Sequence, residues 1–263
     1  EERADALIHI GRMEEAEEIL KAVLQRHAED IHALILLGVG YYEADRLDEA
    51  MEVFERARAI QPDLYDVHNF EGKILKERRL CVEAEAAFSA AIALRPWLHD
   101  APFARSQTRT KLGKHEAAYE DVLRAMELGQ VNRSAYHQRG WCELILGHYS
   151  EAVQSLSRAV ALDPERETYG RLQGLALILA GETRAGLEVL RDCANRGSLH
   201  AAIWYLGLGG DKAALVDAPT SEGTVYRFVC GEMDADTFLG IARGEQSDKW
   251  CRAYTLVAVR AER

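Results

Sequence analysis

The sequence predicts an all-α chain of stacked antiparallel helix pairs, and three observations predict it. Small, large and small side chains recur at a fixed step of 34 residues: Ala50, Ala84, Ala118 and Ala152, with Gly186 one step on; Phe54, Phe88, Val122, Leu156 and Leu190; and Ala57, Ala91, Ala125, Ala159 and Cys193. One register held over five copies signals a repeat architecture rather than a single globular core. Within each step the apolar residues fall at helical spacing in two blocks, as Leu34, Leu37 and Tyr41 do, followed by Leu47, Ala50, Phe54 and Ala57. Proline is the residue a helix interior tolerates least. The chain has only 5, and Pro62, Pro96 and Pro164 stand at repeat ends, with Gln130 in the slot between the last two.

Each element follows from that register. Residues 1–10 begin part-way through a first helix, and Gly11–Asp30 reads as its partner, so the chain is expected to be cut from a longer one or to carry a worn first repeat. Complete units are expected at 31–64, 65–98, 99–132 and 133–166, with a shorter one at 167–197 and a partial one at 200–212. In the first, the break at Ala44, Asp45 and Arg46 is short enough to make the two helices antiparallel neighbours. Gly38, Gly72, Gly140 and Gly174, with Ser106 in the gap, are small where the helices of a pair approach most closely, and Phe54 fills the space toward the next pair. Pro62 ends the second helix, because the residue before proline resists the helical conformation. Gly113, Gly147 and Gly181 stand where first helices stop.

Composition bounds the function. The 263 residues are 48% hydrophobic and 29% charged, the balance of a folded chain. No apolar run approaches the roughly 18 residues that span a bilayer. The net charge of −11 opposes attraction to nucleic acid or anionic lipid. That acidity is concentrated early: residues 1–64 hold 16 acidic and 7 basic side chains, whereas 65–132 hold 10 of each. The 5 cysteines are widely spaced, without a CxxC pair or a metal-like grouping with histidine, which favours reduced thiols and a cytoplasmic setting.

The register resembles the tetratricopeptide repeat family over about residues 1–212. The resemblance implies a right-handed superhelical solenoid whose first helices line a concave groove, and a non-enzymatic scaffold or adaptor that binds a peptide or partner helix there. Carried onto this sequence, the groove slots include Tyr42, Asn69, Lys73, Lys76, Phe103, Gln107, His137, Trp141 and Arg171. Trp141, Phe103 and Tyr42 are the candidate anchors, because large aromatics dominate binding hot spots. Some members clamp a chaperone's terminal carboxylate with lysine, asparagine and arginine on three repeats. Asn69 and Lys73 occupy the first two of those slots in swapped order, but Ala104, Ser134 and Gln138 fill the rest, so the clamp is absent. Lys73 and Lys76 still suit an acidic ligand.

Residues 213–223 read as a linker and 224–263 as a carboxy-terminal helical cap, since a terminal repeat has no neighbour to cover it. This tail is also similar to the ends of bacterial tetratricopeptide lipoproteins of the NlpI type, on Cys251–Tyr254.

One departure from the family pattern calls for charge pairing. The slot that holds Leu37 reads Glu71, Arg105 and Arg139 in later units, and Arg109 and Glu143 follow one turn on. A charge in a core slot is costly unless paired, so these five are expected to form one network that fixes the register or, with three arginines facing two glutamates, binds an anion or partner.

No GxSxG, HExxH, phosphate loop or zinc-like spacing occurs, so no catalytic residue, cofactor or metal is expected. The expected partner is a protein segment, with neither nucleic acid nor membrane insertion. A second reading is a regulatory module whose groove is filled by its own tail or by an attached catalytic domain. A third adds homo-oligomerisation through the open first repeat.

Overall fold

A computed structural model of the chain describes residues 2–196. Two compact units divide between Pro164 and Glu165. The first holds ten described helices: α1 (Glu2–His9), α2 (Met13–Arg26), α3 (Ile31–Glu43), α4 (Leu47–Ile60), α5 (Tyr65–Glu77), α6 (Cys81–Leu94), α7 (Asp100–Lys111), α8 (His115–Glu127), α9 (Arg133–Leu146) and α10 (Tyr149–Leu162). The second holds α11 (Glu167–Leu179) and α12 (Thr183–Asn195). No strand occurs among the described residues, and the architecture is an all-α repeat solenoid of helix pairs. The partial unit at 200–212, the linker, the cap and the Cys251–Tyr254 motif lie outside the described residues.

Helix ends follow local chemistry. α4, α6 and α10 each stop two residues before Pro62, Pro96 and Pro164. α8 has Gln130 in that slot, and Gly129 takes over by turning left-handed at φ 106°. The turn inside every pair uses one left-handed residue, and these stand 34 apart: Gly11, Asp45, Arg79, Gly113, Gly147 and Gly181. Asp30 caps α3 and Asn132 caps α9, each accepting a hydrogen bond at 3.0 Å, from the N–H of Ala33 and of Ala135 respectively. The other helices from α2 to α12 have no side-chain cap, so packing against neighbours supplies most of their stability.

Packing within a pair sets a large side chain on a glycine. A Cβ at Gly38 would lie 2.6 Å from Phe54 Cε1, at Gly72 2.7 Å from Phe88 Cε1, and at Gly140 2.6 Å from Leu156 Cγ. Phe54 therefore fills its own pair first, and it also stacks on Phe70 of the next pair with centroids 5.5 Å apart. The second unit repeats the device, with Leu190 against Gly174. Ala50, Ala84, Ala118 and Ala152 are fully buried, which lets neighbouring backbones close up.

Within the first unit, each of α1, α3, α5 and α7 packs on the next odd helix as well as on its pair partner, whereas the even helices meet chiefly odd ones. The odd helices thus line the tighter, inner face.

Candidate functional site

The inner face of the first unit carries the side chains expected to line a groove. Tyr42, Lys73, Lys76, Phe103, Gln107, His137 and Trp141 are all half-buried. Tyr42 meets Phe70 edge-on at 5.4 Å, so it is partly committed to the packing of α3 on α5. Asn69 is only 3% exposed, and among the described residues its Oδ1 accepts no hydrogen bond. Arg171 belongs to the second unit, where it is buried with Glu167 3.5 Å away, and burial lowers its guanidinium to about 10.

The two lysines are electrostatically exceptional. Lys73 Nζ lies 4.2 Å from the Phe70 ring centroid, and Lys76 Nζ donates to Gln107 Oε1 at 3.1 Å, across from α5 to α7. Neither forms an ion pair with a described residue. Burial lowers both ammonium groups; Asp100, Glu43 and Asp66 oppose it at Lys73, while at Lys76 Glu77 opposes it and Lys111 and Lys73 add to it.

The five charges expected in one network lie in three separate clusters. Glu71 is buried on α5 and pairs with Arg58 of α4 at 3.1 Å. Burial pushes its carboxyl up against the opposing pull of Arg58 and His68. Arg105 and Arg109 of α7 come together on Asp121 of α8: Arg105 is bidentate, Nε to Oδ2 at 2.9 Å and Nη2 to Oδ1 at 2.7 Å, and Arg109 Nη1 reaches Oδ2 at 3.0 Å. Arg109 Nε also donates to Glu85 Oε1 at 2.8 Å. Arg139 and Glu143 pair with each other at 2.7 Å on α9, and Ser155 donates to the fully buried Glu143 at 2.6 Å. Arg105 and Arg109 are therefore matched by acids from the even helices, and the excess of cations over Glu71 and Glu143 is filled by Asp121 and Glu85. A reading of the first helices alone passes over those acids. The sequence signal for one of them is an offset of 16: Leu37 with Val53 in one pair becomes Arg105 with Asp121 in another.

Among the described residues no group of histidine, cysteine and acid side chains has metal-binding proximity, and no helix is long and apolar enough to cross a membrane.

Known proteins show the same repeat. Models described as tetratricopeptide repeat match residues 4–74 and 134–166. The chain carries tetratricopeptide repeats. It is 26% identical over 243 residues to the human protein O-mannosyl-transferase TMTC3, covering 84% of this chain and 26% of that protein. A TPR repeat-containing protein of Treponema pallidum (strain Nichols) is 24% identical over 195 residues, 73% of this chain and 22% of its own length. The chain thus spans about a quarter of the length of these curated relatives. Among solved structures, YrrB, described as a TPR protein with an unusual peptide-binding site, aligns with TM-score 0.60 at 17% identity over 75% of this chain and 95% of its own. Tetratricopeptide repeats build protein-interaction scaffolds, and this chain has that architecture.

Proposed function

We propose that the inner face of α3, α5, α7 and α9 receives a segment of a partner protein, and that the chain works as a non-catalytic scaffold or adaptor in the cytoplasm. The observation that carries this reading is the row of half-buried side chains, Tyr42, Phe103, Gln107, His137 and Trp141, along the face where odd helices meet. Aromatic groups left partly open bury further area when a partner docks, and aromatics supply a disproportionate share of interface energy. The peptide-binding site named for YrrB supports the same use of the fold. The transferase named among the relatives matches this chain over only 26% of its own length.

The test is an affinity capture from lysate of the source organism, comparing the wild type with Phe103→Ala, Trp141→Ala. Both proteins are first shown to have the same helical circular dichroism and melting. The reading stands if a protein retained by the wild type is released by the double variant, and it falls if both retain the same set.

A further inference from the structure

Lys73 and Lys76 present two cationic heads on one face of α5, three residues apart and therefore about 4.5 Å along the axis. Among the described residues their direct contacts are with an apolar and a neutral group, Lys73 over Phe70 and Lys76 on the Gln107 amide, while Glu77 and Lys111 act on Lys76 from farther off. Elsewhere in the first unit the half-buried cations of the odd helices are matched by acids, Arg105 by Asp121, Arg109 by Glu85 and Asp121, and Arg139 by Glu143. Leaving a cation part-desolvated without a counter-ion opposes folding, and among the described residues these two lysines have none in contact, so the position points to a charge supplied by what binds there. Asp66, Asp100 and Glu43 act on Lys73 only at longer range, and none of them closes an ion pair with it.

The geometry points to an internal acidic side chain, Asp or Glu, of the bound segment, seated on Lys73 and Lys76; we propose this as the specificity element of the inner face. It rests on the reading that this face binds a protein segment. A side chain is favoured over a chain terminus because half-buried apolar groups continue on both sides: Ile35, Val39 and Tyr42 toward α3, and Phe103 and Trp141 toward α7 and α9. A segment that uses both sides runs through the lysine position and does not end there. A terminus would also want further cations on the following repeats, where Ala104 and Gln138 are buried and Gln138 is already engaged with Thr110 at 2.7 Å.

The experiment uses the full chain and a display library of short random peptides fused so that both ends are blocked. Affinities of selected peptides are then measured by fluorescence anisotropy at low and high salt. Selected peptides are expected to share one Asp or Glu flanked by apolar residues. Changing that acid to its amide weakens binding by about tenfold or more. In Lys73→Met, Lys76→Met the acid and amide peptides bind alike, and Lys76→Gln gives an intermediate loss. Peptides that bind in a manner dependent on Phe103 and Trp141 yet show no acid preference overturn this inference and leave the groove reading intact. Selected peptides that need a free carboxy terminus, tested in an unblocked arm, overturn the choice of a side chain. A library that yields no binder to the folded wild type overturns both.

Discussion

Arg46 and Glu17 stand 29 residues apart and meet across the junction between two helix pairs, the Nη1 of Arg46 donating to Glu17 Oε2 at 2.6 Å. Two repeats later Lys114 and Glu85, again 29 apart, repeat the contact at 2.6 Å. A third residue joins each: Tyr41 donates to Glu17 at 2.9 Å, and its counterpart Arg109 donates to Glu85 at 2.8 Å. In the next junction the same slots hold Tyr119, Glu143 and His148, with Tyr119 donating to Glu143 at 3.3 Å and stacking edge-on with His148. The junction between the first two of these reads Met51, Leu75 and Leu80, an apolar version of the same triad. Lys21, Arg46 and Tyr41, against the opposing effect of burial, hold the Glu17 carboxyl down to about 2. At Glu85 burial pushes upward but Lys114 and Arg109 outweigh it.

Both carboxyls are depressed on folding, so their contribution is present above the unfolded value near 4.5 and is lost as the pH falls through the folded value. Thermal melting is therefore expected to fall below about pH 4.5. Glu17→Gln lowers stability at pH 7 by no more than about 1 kcal/mol, since its cationic partners are well exposed. The gap between variant and wild type closes toward pH 2. A gap that is constant with pH would rule out the linkage.

Among the described residues Asp121 is the only carboxylate that Arg105 contacts, and it is shared with Arg109. Asp121→Asn is expected to cost about 3 kcal/mol, because it leaves the part-buried Arg105 guanidinium without its carboxylate and Arg109 with Glu85 alone. The double change Arg105→Leu, Asp121→Val recreates the Leu37 and Val53 pair and should be neutral or stabilising. Urea denaturation of the three proteins decides it, and a double variant as unstable as Asp121→Asn would contradict the account.

Glu71 titrates with the opposite sign. Its carboxyl is raised by burial, so it favours the fold at low pH and that contribution is lost as the pH rises through its folded value. Glu71→Leu, the residue of the Leu37 slot, should melt higher than wild type at pH 7, with the advantage shrinking on acidification. Melting curves over pH 4–8 would expose a parallel displacement, the result this argument forbids.

Gly72 lets Phe88 lie on the backbone of α5, and an added methyl would stand 2.7 Å from the ring. Gly72→Ala is expected to cost about 1–3 kcal/mol by overpacking. One repeat on, the chain carries Ser106 and Val122 in these slots, a larger residue with a smaller partner. Phe88→Val should therefore recover part of the loss, and a double-mutant cycle must show non-additivity of favourable sign.

Arg79 occupies the left-handed turn slot at φ 62°, where four other turns of the series use glycine. Arg79→Gly removes a Cβ clash and should stabilise by up to about 1 kcal/mol after the entropy cost of glycine. The gain at Asp45, φ 59°, should be smaller, since aspartate visits that region more readily. Chemical denaturation of the two variants compares them directly.

The sequence by itself determined the repeat length, the helix order and the ends of nearly every described helix. Each of these depends on neighbours a few residues away or one step of 34 along: a proline that no helix continues through, a glycine that turns left-handed, an alanine under a closely packed backbone. The inner-face lysines and aromatics were legible for the same reason, because a slot's position in the stack is set by the register. Only the tertiary structure decided how the charges pair. Glu71, Arg105, Arg109, Arg139 and Glu143 share a register and look like neighbours; Arg139 and Glu143 do pair one turn apart, but Glu71, Arg105 and Arg109 find partners outside the set by reach and burial. Arg105 turns to Asp121 on the antiparallel helix beside it, where the two planes meet bidentately, and Glu71 turns to Arg58 on the preceding pair. A long side chain reaches several slots, and which carboxylate it selects depends on distances between helices that a one-dimensional spacing does not contain.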